Sequence, residues 1–290
     1  MAQPTAAYIN KSSWMSEVLG IEKLKLTDII WPGAHNCGMD KKARYFGPIV
    51  GNWTTCQNDS FAFQLAQGVR AFDIRIGYEL RAEGERFYFH HNGSRSGRLL
   101  DELLEAVLAF ISENPGEFLI LDFHQLGDGQ HPFPYQTFSD LMADRLGPHA
   151  IAHSLADLSV GELKRTRTRR RVMLAASGSL DLDRTLFWPR ISHKWKDSTF
   201  TSPQDLYLHI ARTLDKEPVS STFPWSLSAT CYSLLGPADI KHYLDIWFHP
   251  SVPWINRCSI INSDFVDESK IVEHCALANA MKAERMSSGS

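Results

Sequence analysis

Hydrophobic and polar positions follow two different periods along this chain. Leu24–Trp31 alternates apolar and polar residues, which is the two-residue period of a half-buried strand. Leu99–Ser112 instead repeats apolar residues three and four positions apart, and Asn114-Pro115 then stops the predicted helix. The same reasoning predicts further strands at Val69–Ile76, Arg86–Phe89, Phe118–Phe123, Val172–Ala176, Phe223–Cys231 and Ser259–Ile261. It predicts further helices at 11–20, Ser60–Gln67, Tyr135–Leu146, Ala156–Arg165, Pro203–Leu214, Ala238–Phe248 and Ser269–Arg285.

Strands and helices alternate through the whole sequence, which favours an α/β fold built on a parallel sheet. The length of 290 residues fits either two small domains or one large α/β barrel. No internal repeat or Ser/Pro-rich linker separates two halves. We therefore expect residues 1–290 to form a single barrel domain, with 1–10 and 286–290 as flexible tails.

Composition and charge exclude several classes of function. The net charge of −3 argues against nucleic acid as the main partner. The five cysteines are odd in number and show no CxxC spacing, so we expect neither a disulfide framework nor a cysteine-bound metal. No run of about 18 apolar residues and no secretory leader is visible, so we expect peripheral membrane contact at most. The compartment stays open, either cytoplasmic or secreted with the leader removed.

The segment from Asp28 to Gly38 is the first candidate for chemistry. Its apolar run is expected to break at Pro32-Gly33 and to present His35 beside Asn36. In an α/β barrel, functional groups come from the carboxyl ends of strands and the loops that follow. The ionisable residues at such positions are His35, Asp73, Arg75, His91, His124 and Asp264.

Two histidines with carboxylate partners and one arginine suit phosphodiester cleavage. One imidazole removes a proton from the attacking hydroxyl and the other protonates the leaving oxygen. An arginine neutralises charge on the non-bridging phosphate oxygens. Each residue also has a structural interpretation, since Asp73 and Arg75 could form an ion pair and Asp264 could cap the last helix. Their joint placement at one barrel mouth favours the catalytic interpretation.

Five sequence blocks resemble the phosphatidylinositol-specific phospholipase C X-domain family, in the family's order. They are Trp31-Pro-Gly-Ala-His-Asn, Gly68-Val-Arg-Ala-Phe-Asp-Ile-Arg75, Phe89-His-His91, Asn114-Pro-Gly-Glu-Phe-Leu-Ile-Leu-Asp122 and Ile260-Ile-Asn-Ser-Asp-Phe265. The likeness is to single-domain bacterial enzymes and X-domain-only proteins. It implies a distorted, incompletely closed (βα)8 TIM-type barrel. The implied reaction is attack of the inositol 2-hydroxyl on its own phosphodiester, releasing diacylglycerol and inositol 1,2-cyclic phosphate.

The resemblance also implies roles for single residues. His35 resembles the general base, with Asp264 as its orienting carboxylate. His91, rather than His90, resembles the general acid. Asp73 resembles the carboxylate partner of His91, and Arg75 resembles the phosphate-binding arginine.

The same blocks bear on cofactors. Animal-type relatives hold calcium with acidic residues of the second-strand block and with the Asn after the first His. Here Arg75 stands at one of those positions, and its fixed charge should exclude a cation, so we expect no metal. Asn36 retains the calcium-type residue and is placed near the substrate, which leaves calcium as the alternative.

Headgroup contacts depart from the bacterial pattern. His124 stands where that pattern has an inositol-contacting lysine, and Ala176-Ser177 replaces another basic contact. The segment Trp188–Trp195 resembles a Trp-Pro…Trp block of X-domain-only relatives. Within it, Lys194 could meet hydroxyls or phosphate and Trp195 could stack on a ring, although loop packing is an equal alternative.

The expected partner is therefore a phosphoinositide or related phospholipid at a membrane surface, with no nucleic acid and no obligate protein partner for a monomer. Loop tryptophans (Trp53, Trp247 and Trp254) could seat the barrel mouth on the bilayer. The basic run Arg165–Arg171 is more consistent with a solvated helix end than with an anion site. Two alternatives remain, namely a barrel phosphodiesterase for glycerophosphodiesters or sphingolipids, and a catalytically weak lipid-binding protein.

Overall fold

The computed structural model describes residues 9–46, 51–82, 84–167, 169–177, 181–196, 200–217, 222–234 and 236–288. The strands are β1 (Trp31–Ala34), β2 (Tyr45–Phe46), β3 (Ala71–Arg81), β4 (Gly84–His91), β5 (Ser94–Leu99), β6 (Leu119–Leu126), β7 (Val172–Ala176), β8 (Phe187–Trp188), β9 (Ser192–Lys194), β10 (Trp225–Ser228), β11 (Tyr232–Ser233), β12 (Gly236–Pro237) and β13 (Ile260–Ser263). The helices are α1 (Trp14–Glu17), α2 (Gly51–Thr54), α3 (Phe61–Ala66), α4 (Leu100–Glu113), α5 (Tyr135–Leu146), α6 (Val160–Thr166), α7 (Pro203–Lys216), α8 (Lys241–Trp247) and α9 (Ile271–Ser288).

Eight parallel strands form a curved sheet in the order β9-β10-β13-β1-β3-β6-β7-β8. Its two end strands, β8 and β9, do not pair with each other within the described parts of the chain. This is a parallel barrel that stays open along one seam. The prediction of a distorted, incompletely closed TIM-type barrel is therefore confirmed.

An antiparallel extension branches from β3 and was not predicted. Strand β3 continues beyond its barrel portion to Arg81, and β4 runs back along it from Gly84 to His91. Strands β5 and β2 continue this antiparallel layer. The predicted strand Arg86–Phe89 therefore belongs to a hairpin rather than to the barrel. The hairpin returns the chain to the barrel mouth, where β4 ends at His91.

The first strand lies later in the sequence than predicted. Leu24–Ile30 is mostly turns, and its alternating apolar residues are buried without pairing as a strand. Strand β1 is instead formed by Trp31–Ala34, so the Pro-Gly pair lies inside it. Gly33 permits this because β1 packs closely on β13, and a Cβ at Gly33 would lie 2.8 Å from Cγ2 of Ile260. Pro32 still accepts a hydrogen bond, since its carbonyl receives the backbone N–H of Arg70 at 3.0 Å.

The remaining helical predictions hold with shorter or shifted ends. Residues 11–20 contain only a 3-10 turn at Lys11–Ser13 and the four-residue helix α1. At the other end, α9 continues to Ser288, so 286–288 are helical rather than a flexible tail. Residues 1–8 and 289–290 of the predicted tails lie outside the described residues. Among the described helices, none is both long and apolar enough to cross a bilayer.

Arg165, Arg167 and Arg169 of the basic run are exposed at or just beyond the end of α6, as predicted for a solvated helix end, whereas Arg170 and Arg171 are held by hydrogen bonds. Helix α6 stops at Thr166, and Arg171 is buried with only 6% of its surface exposed. The guanidinium of Arg171 donates to the carbonyl of Pro115 at 2.6 Å, and that of Arg170 donates to the carbonyl of Ala150. Both side chains therefore fix the loop before β7.

Candidate active site

Three sharp turns deliver the central residues of the site. Among the described residues, positive φ outside glycine occurs at Asn36 (47°), Asn92 (48°) and Phe265 (46°). Each directly follows a residue expected to be catalytic, namely His35, His91 and Asp264. Left-handed backbone is tolerated by Asn but is costly for a bulky Phe, and such strain concentrates at functional sites. The turns end three strands abruptly and leave the preceding side chains at the barrel mouth.

The protonation pattern of His35 follows from its two neighbours. Nδ1 of His35 lies 2.7 Å from Oδ1 of Asp264, and Nε2 lies 3.1 Å from Nη2 of Arg75. A guanidinium can only donate, so Nε2 must carry the lone pair and Nδ1 the proton. The ring is 1% exposed and is held as a neutral imidazole whose Nε2 lone pair points toward Arg75.

Arg75 and Asp73 form a two-point ion pair on β3. Nη2 of Arg75 donates to Oδ2 of Asp73 at 2.9 Å, and Nε donates to Oδ1 at 3.3 Å. Burial opposes ionisation of Asp73, but the charge of Arg75 and the nearby histidines outweigh it and hold the pKa of Asp73 well below its usual value. Asp73 thus contacts Arg75 and not His91. The expected Asp73–His91 pair is corrected, because the antiparallel turn into β4 brings His91 to the mouth from another direction.

His91 faces His35 without a carboxylate behind it. The two ring centroids are 6.0 Å apart and nearly perpendicular. Nδ1 of His91 is buried and has no hydrogen-bond partner among the described residues. Burial, together with the positive charge of Arg75, lowers the pKa of His91 to about 3. His91 is therefore neutral in the free protein at neutral pH.

A second imidazole cluster lies beside Arg75. The rings of His124 and His193 are in contact, with centroids 3.8 Å apart. Nε2 of His193 bonds to Oδ2 of Asp122 at 2.6 Å, which repeats the arrangement of His35 on Asp264. Trp195 stacks on His193 at 5.8 Å and lies 5.1 Å from the guanidinium carbon of Arg75. We define His124, His193, Asp122 and Trp195 as the imidazole wall of the site.

Two members of this wall, His193 and Asp122, were missed by the sequence reasoning. Asp122 was visible as the one charged residue inside an apolar strand, which signals a buried partner. His193 stands two residues before Trp195, and the strand period places both on one face.

Lys194, predicted to contact substrate, lies on the opposite face of β9. Its Nζ forms an ion pair with Glu217 at 2.8 Å, at the end of α7. It is therefore directed away from Trp195 and the wall. Asn36 is close to the site, since its backbone N–H donates to Oδ2 of Asp73 at 3.3 Å. The side-chain Nδ2 of Asn36 is buried, and no described residue accepts a hydrogen bond from it.

A cleft of about 410 Å³ opens above these residues. His91, Trp195 and Tyr232 line it, and all three rings pack around His35 at centroid distances of 5.2 to 6.3 Å. His35 thus forms the buried floor. Trp53 and Lys196 also line the cleft, which is large enough for a polar headgroup of a few hundred Å³.

Calcium does not fit the residues at the second-strand block. Calcium takes six to eight oxygen ligands. Here the Arg75 guanidinium occupies both oxygens of Asp73 and also reaches His35. Two other groups bring possible ligand atoms within 4.8 Å of one another, namely His35 with Cys56 and Asp264, and Asp73 with His124 and His193. In the first group burial raises the pKa of the Cys56 thiol well above its usual value, so it remains protonated.

No protein-family model matches the chain. Among curated proteins, PI-PLC X domain-containing protein 2 of Mus musculus is 23% identical over 303 aligned positions, covering 91% of this chain and 86% of the relative. The variant-surface-glycoprotein phospholipase C of Trypanosoma cruzi is 27% identical over 201 positions, covering 58% of this chain and 51% of that protein.

Solved structures agree with the fold. The phosphatidylinositol-specific phospholipase C of Listeria monocytogenes matches with a TM-score of 0.70 at 15% identity, over 93% of this chain and 99% of that one. A substituted form of the Staphylococcus aureus enzyme matches with a TM-score of 0.68 at 15% identity, over 91% and 97% of the two chains. Membrane binding is the subject of another S. aureus structure, at a TM-score of 0.64. The curated relatives therefore confirm the resemblance to the X-domain family, and the solved structures confirm the fold.

Proposed function

We propose that the chain is a phosphatidylinositol-specific phospholipase C that cleaves the glycerol–phosphate ester by internal attack of the inositol 2-hydroxyl. Nε2 of His35 removes the hydroxyl proton, and the resulting oxygen forms a new bond to phosphorus. The bond from phosphorus to the glycerol oxygen breaks, and His91 gives its proton to that oxygen. The products are diacylglycerol and inositol 1,2-cyclic phosphate. The relatives with phospholipase names support the class of reaction, and the site geometry supports the roles.

One observation carries this proposal: His35 is held between an acceptor and a donor. Asp264 accepts from Nδ1, and Arg75 donates to Nε2. Such a neutral imidazole, with its lone pair turned toward a guanidinium, is arranged as a general base beside an anion-binding group. Arg75 would release Nε2 and bind the non-bridging phosphate oxygens when a phosphodiester enters.

His91 must gain a proton before it can act as a general acid. Its pKa of about 3 is set mainly by burial, followed by the positive charge of Arg75. A phosphodiester bound at Arg75 offsets that charge and brings its own negative charge to the cleft. The pKa of His91 should therefore rise on substrate binding, so that the proton is taken up together with the substrate.

We also propose that catalysis needs no calcium. The charge that calcium would supply to the phosphate is supplied here by the fixed guanidinium of Arg75, which is paired with Asp73. Tyr232 and Trp195 line the cleft beside this charge. The headgroup would lie against the imidazole wall, with Trp195 as the stacking surface in place of a basic contact.

The proposed substrate lies in a membrane surface, and the cleft has an apolar rim that suits peripheral docking. Trp53 packs against Phe200, with ring centroids 5.7 Å apart, and Phe200 is 49% exposed. Leu234, two residues beyond the cleft residue Tyr232, is 75% exposed. Exposed aromatic and aliphatic side chains around a cleft favour insertion at the bilayer interface. Trp247, suggested earlier for this role, is 9% exposed and packs in the core.

Phosphorus NMR of reactions with phosphatidylinositol and with phosphatidylcholine, each with and without a chelator, tests the proposal. We expect a cyclic phosphodiester signal from phosphatidylinositol alone, unaffected by the chelator. His35→Ala and His91→Ala should each lower the rate by about 10²–10⁴-fold. His131→Ala, an exposed histidine outside the site, serves as the control. Comparable cleavage of phosphatidylcholine, a need for calcium, or activity retained by either site variant would contradict the proposal.

A further inference from the structure

The imidazole wall holds two buried nitrogens that no group in the described part of the chain satisfies. Nδ1 of His193 and Nδ1 of His124 are both buried without a hydrogen-bond partner. The His193 side chain is 2% exposed. Leaving a buried polar atom unpaired costs on the order of 1–3 kcal/mol. Two such atoms on touching rings point to a ligand that accepts lone pairs from both.

We propose that His124, His193 and Asp73 form a binding site for a divalent transition-metal ion of the zinc type. One ligand atom from each of the three residues lies within 4.8 Å of the others. Ligands bonded to zinc at about 2.1 Å stand about 3.4 Å apart, so small side-chain rotations complete the site. Two imidazoles and one carboxylate select first-row transition ions over calcium, which prefers oxygen ligands.

The contacts around the wall match those of metal-binding histidines. His193 donates its Nε2–H to Asp122 at 2.6 Å, which leaves Nδ1 with the lone pair. A carboxylate behind a histidine is the usual second contact that orients a metal ligand. Arg75 donates to both oxygens of Asp73, so a metal ion would replace the longer of these bonds, from Nε to Oδ1 at 3.3 Å. The second carboxylate, Asp122 on His193, adds negative charge that offsets Arg75 and the ion.

Cobalt titration of the full chain, prepared without a histidine tag and stripped with a chelator, tests the site. We expect visible ligand-field bands with one Co²⁺ per chain, which Zn²⁺ displaces. His193→Gln and His124→Gln should abolish the bands, and Asp122→Asn should weaken affinity about 10–100-fold by releasing the His193 ring. His131→Gln, an exposed histidine, is the matched control and should bind as the wild type does. Circular dichroism checks that each variant is folded.

Zinc-edge X-ray absorption on the wild-type protein needs no variant and should count two imidazole ligands and no sulfur. A folded protein that shows no cobalt bands would overturn the proposal, as would bands that survive in both histidine variants. A near-ultraviolet thiolate charge-transfer band would place the ion at Cys56 instead and would equally overturn it. Because the readout is metal binding, these outcomes are independent of whether phosphatidylinositol is cleaved.

Discussion

Nδ1 of His35 lies 2.7 Å from Oδ1 of Asp264, although the two residues are 229 positions apart in the sequence. The two residues meet because β1 and β13 pair in parallel, with Ala34, just before His35, aligned with Ser263, just before Asp264.

Asp264→Asn should lower kcat by about 10²–10⁴-fold with little change in KM, because the amide no longer fixes the proton on Nδ1. Steady-state kinetics on phosphatidylinositol measures this. Asp267→Asn, three residues away and bonded to Asn58, is the control, and equal effects of the two changes would refute the role of Asp264.

Arg75→Lys should lower kcat/KM by about 10²-fold or more even though the positive charge is kept. Arg75 reaches Asp73 through two nitrogens and His35 through one of them, which a single ammonium cannot reproduce. The same change at Arg212, an exposed residue of α7, should leave the kinetics unchanged. Near-normal kcat/KM in Arg75→Lys would show that charge alone, and not the fork, is required.

Acid should destabilise the fold through His91 and His124. Burial lowers the pKa of each to about 3, against about 6.5 in the unfolded chain. The unfolded state therefore binds more protons between these values, and stability is full above pH 6.5 and falls as pH drops toward 3. At about pH 4.5 each histidine should cost roughly 2–3 kcal/mol relative to neutral pH.

Urea unfolding at about pH 7 and pH 4.5 measures this loss. His124→Gln removes one of the titrating groups, so its free energy of unfolding should decrease less between the two pH values. The exposed His131 offers the comparison, since His131→Gln should keep the wild-type pH dependence. An unchanged pH dependence in His124→Gln would contradict the prediction.

Gly33→Ala should destabilise the protein by about 1–3 kcal/mol, because its Cβ would lie 2.8 Å from Cγ2 of Ile260 and 3.2 Å from the carbonyl oxygen of Ile261. Separating β1 from β13 should also lengthen the His35–Asp264 contact and reduce activity. Thermal unfolding and kinetics together test both effects. Gly147→Ala meets open space and serves as the control. A fully stable, fully active Gly33→Ala would show that the close approach is not needed.

The sequence predicted the barrel and one face of β3, because these depend on local periodicity. Asp73 and Arg75 share that face as expected and contact each other. By the same two-residue rule, His193 and Trp195 share one face of β9 and its continuation, and Lys194 lies on the other face. Applying the rule to β9 would have placed Lys194 away from the site. Length was the obstacle, since three residues are too few for a period to be recognised.

Other parts of the site depend on long-range pairing that no local pattern records. The antiparallel turn from β3 into β4 decides which way His91 faces, so the Asp73–His91 pair could not be tested on sequence. The Asp122–His193 contact joins strands 71 positions apart across the barrel. The link between His35 and Asp264 came from the family resemblance and not from the pattern. The catalytic roles of these residues remain predictions.

Because the sheet is open between β8 and β9, one part of the site is held by fewer strand hydrogen bonds than the other. His35, Asp73, Arg75 and Asp264 stand on or directly after β1, β3 and β13, each of which is hydrogen-bonded on both sides. Among the residues that the structure describes, strand β9, which carries His193 and leads into Trp195, is bonded on one side only, to β10. Displacing β9 costs one set of strand hydrogen bonds, whereas displacing β1 costs two. We therefore expect β9, rather than β1, β3 or β13, to shift when a larger headgroup is offered to the site.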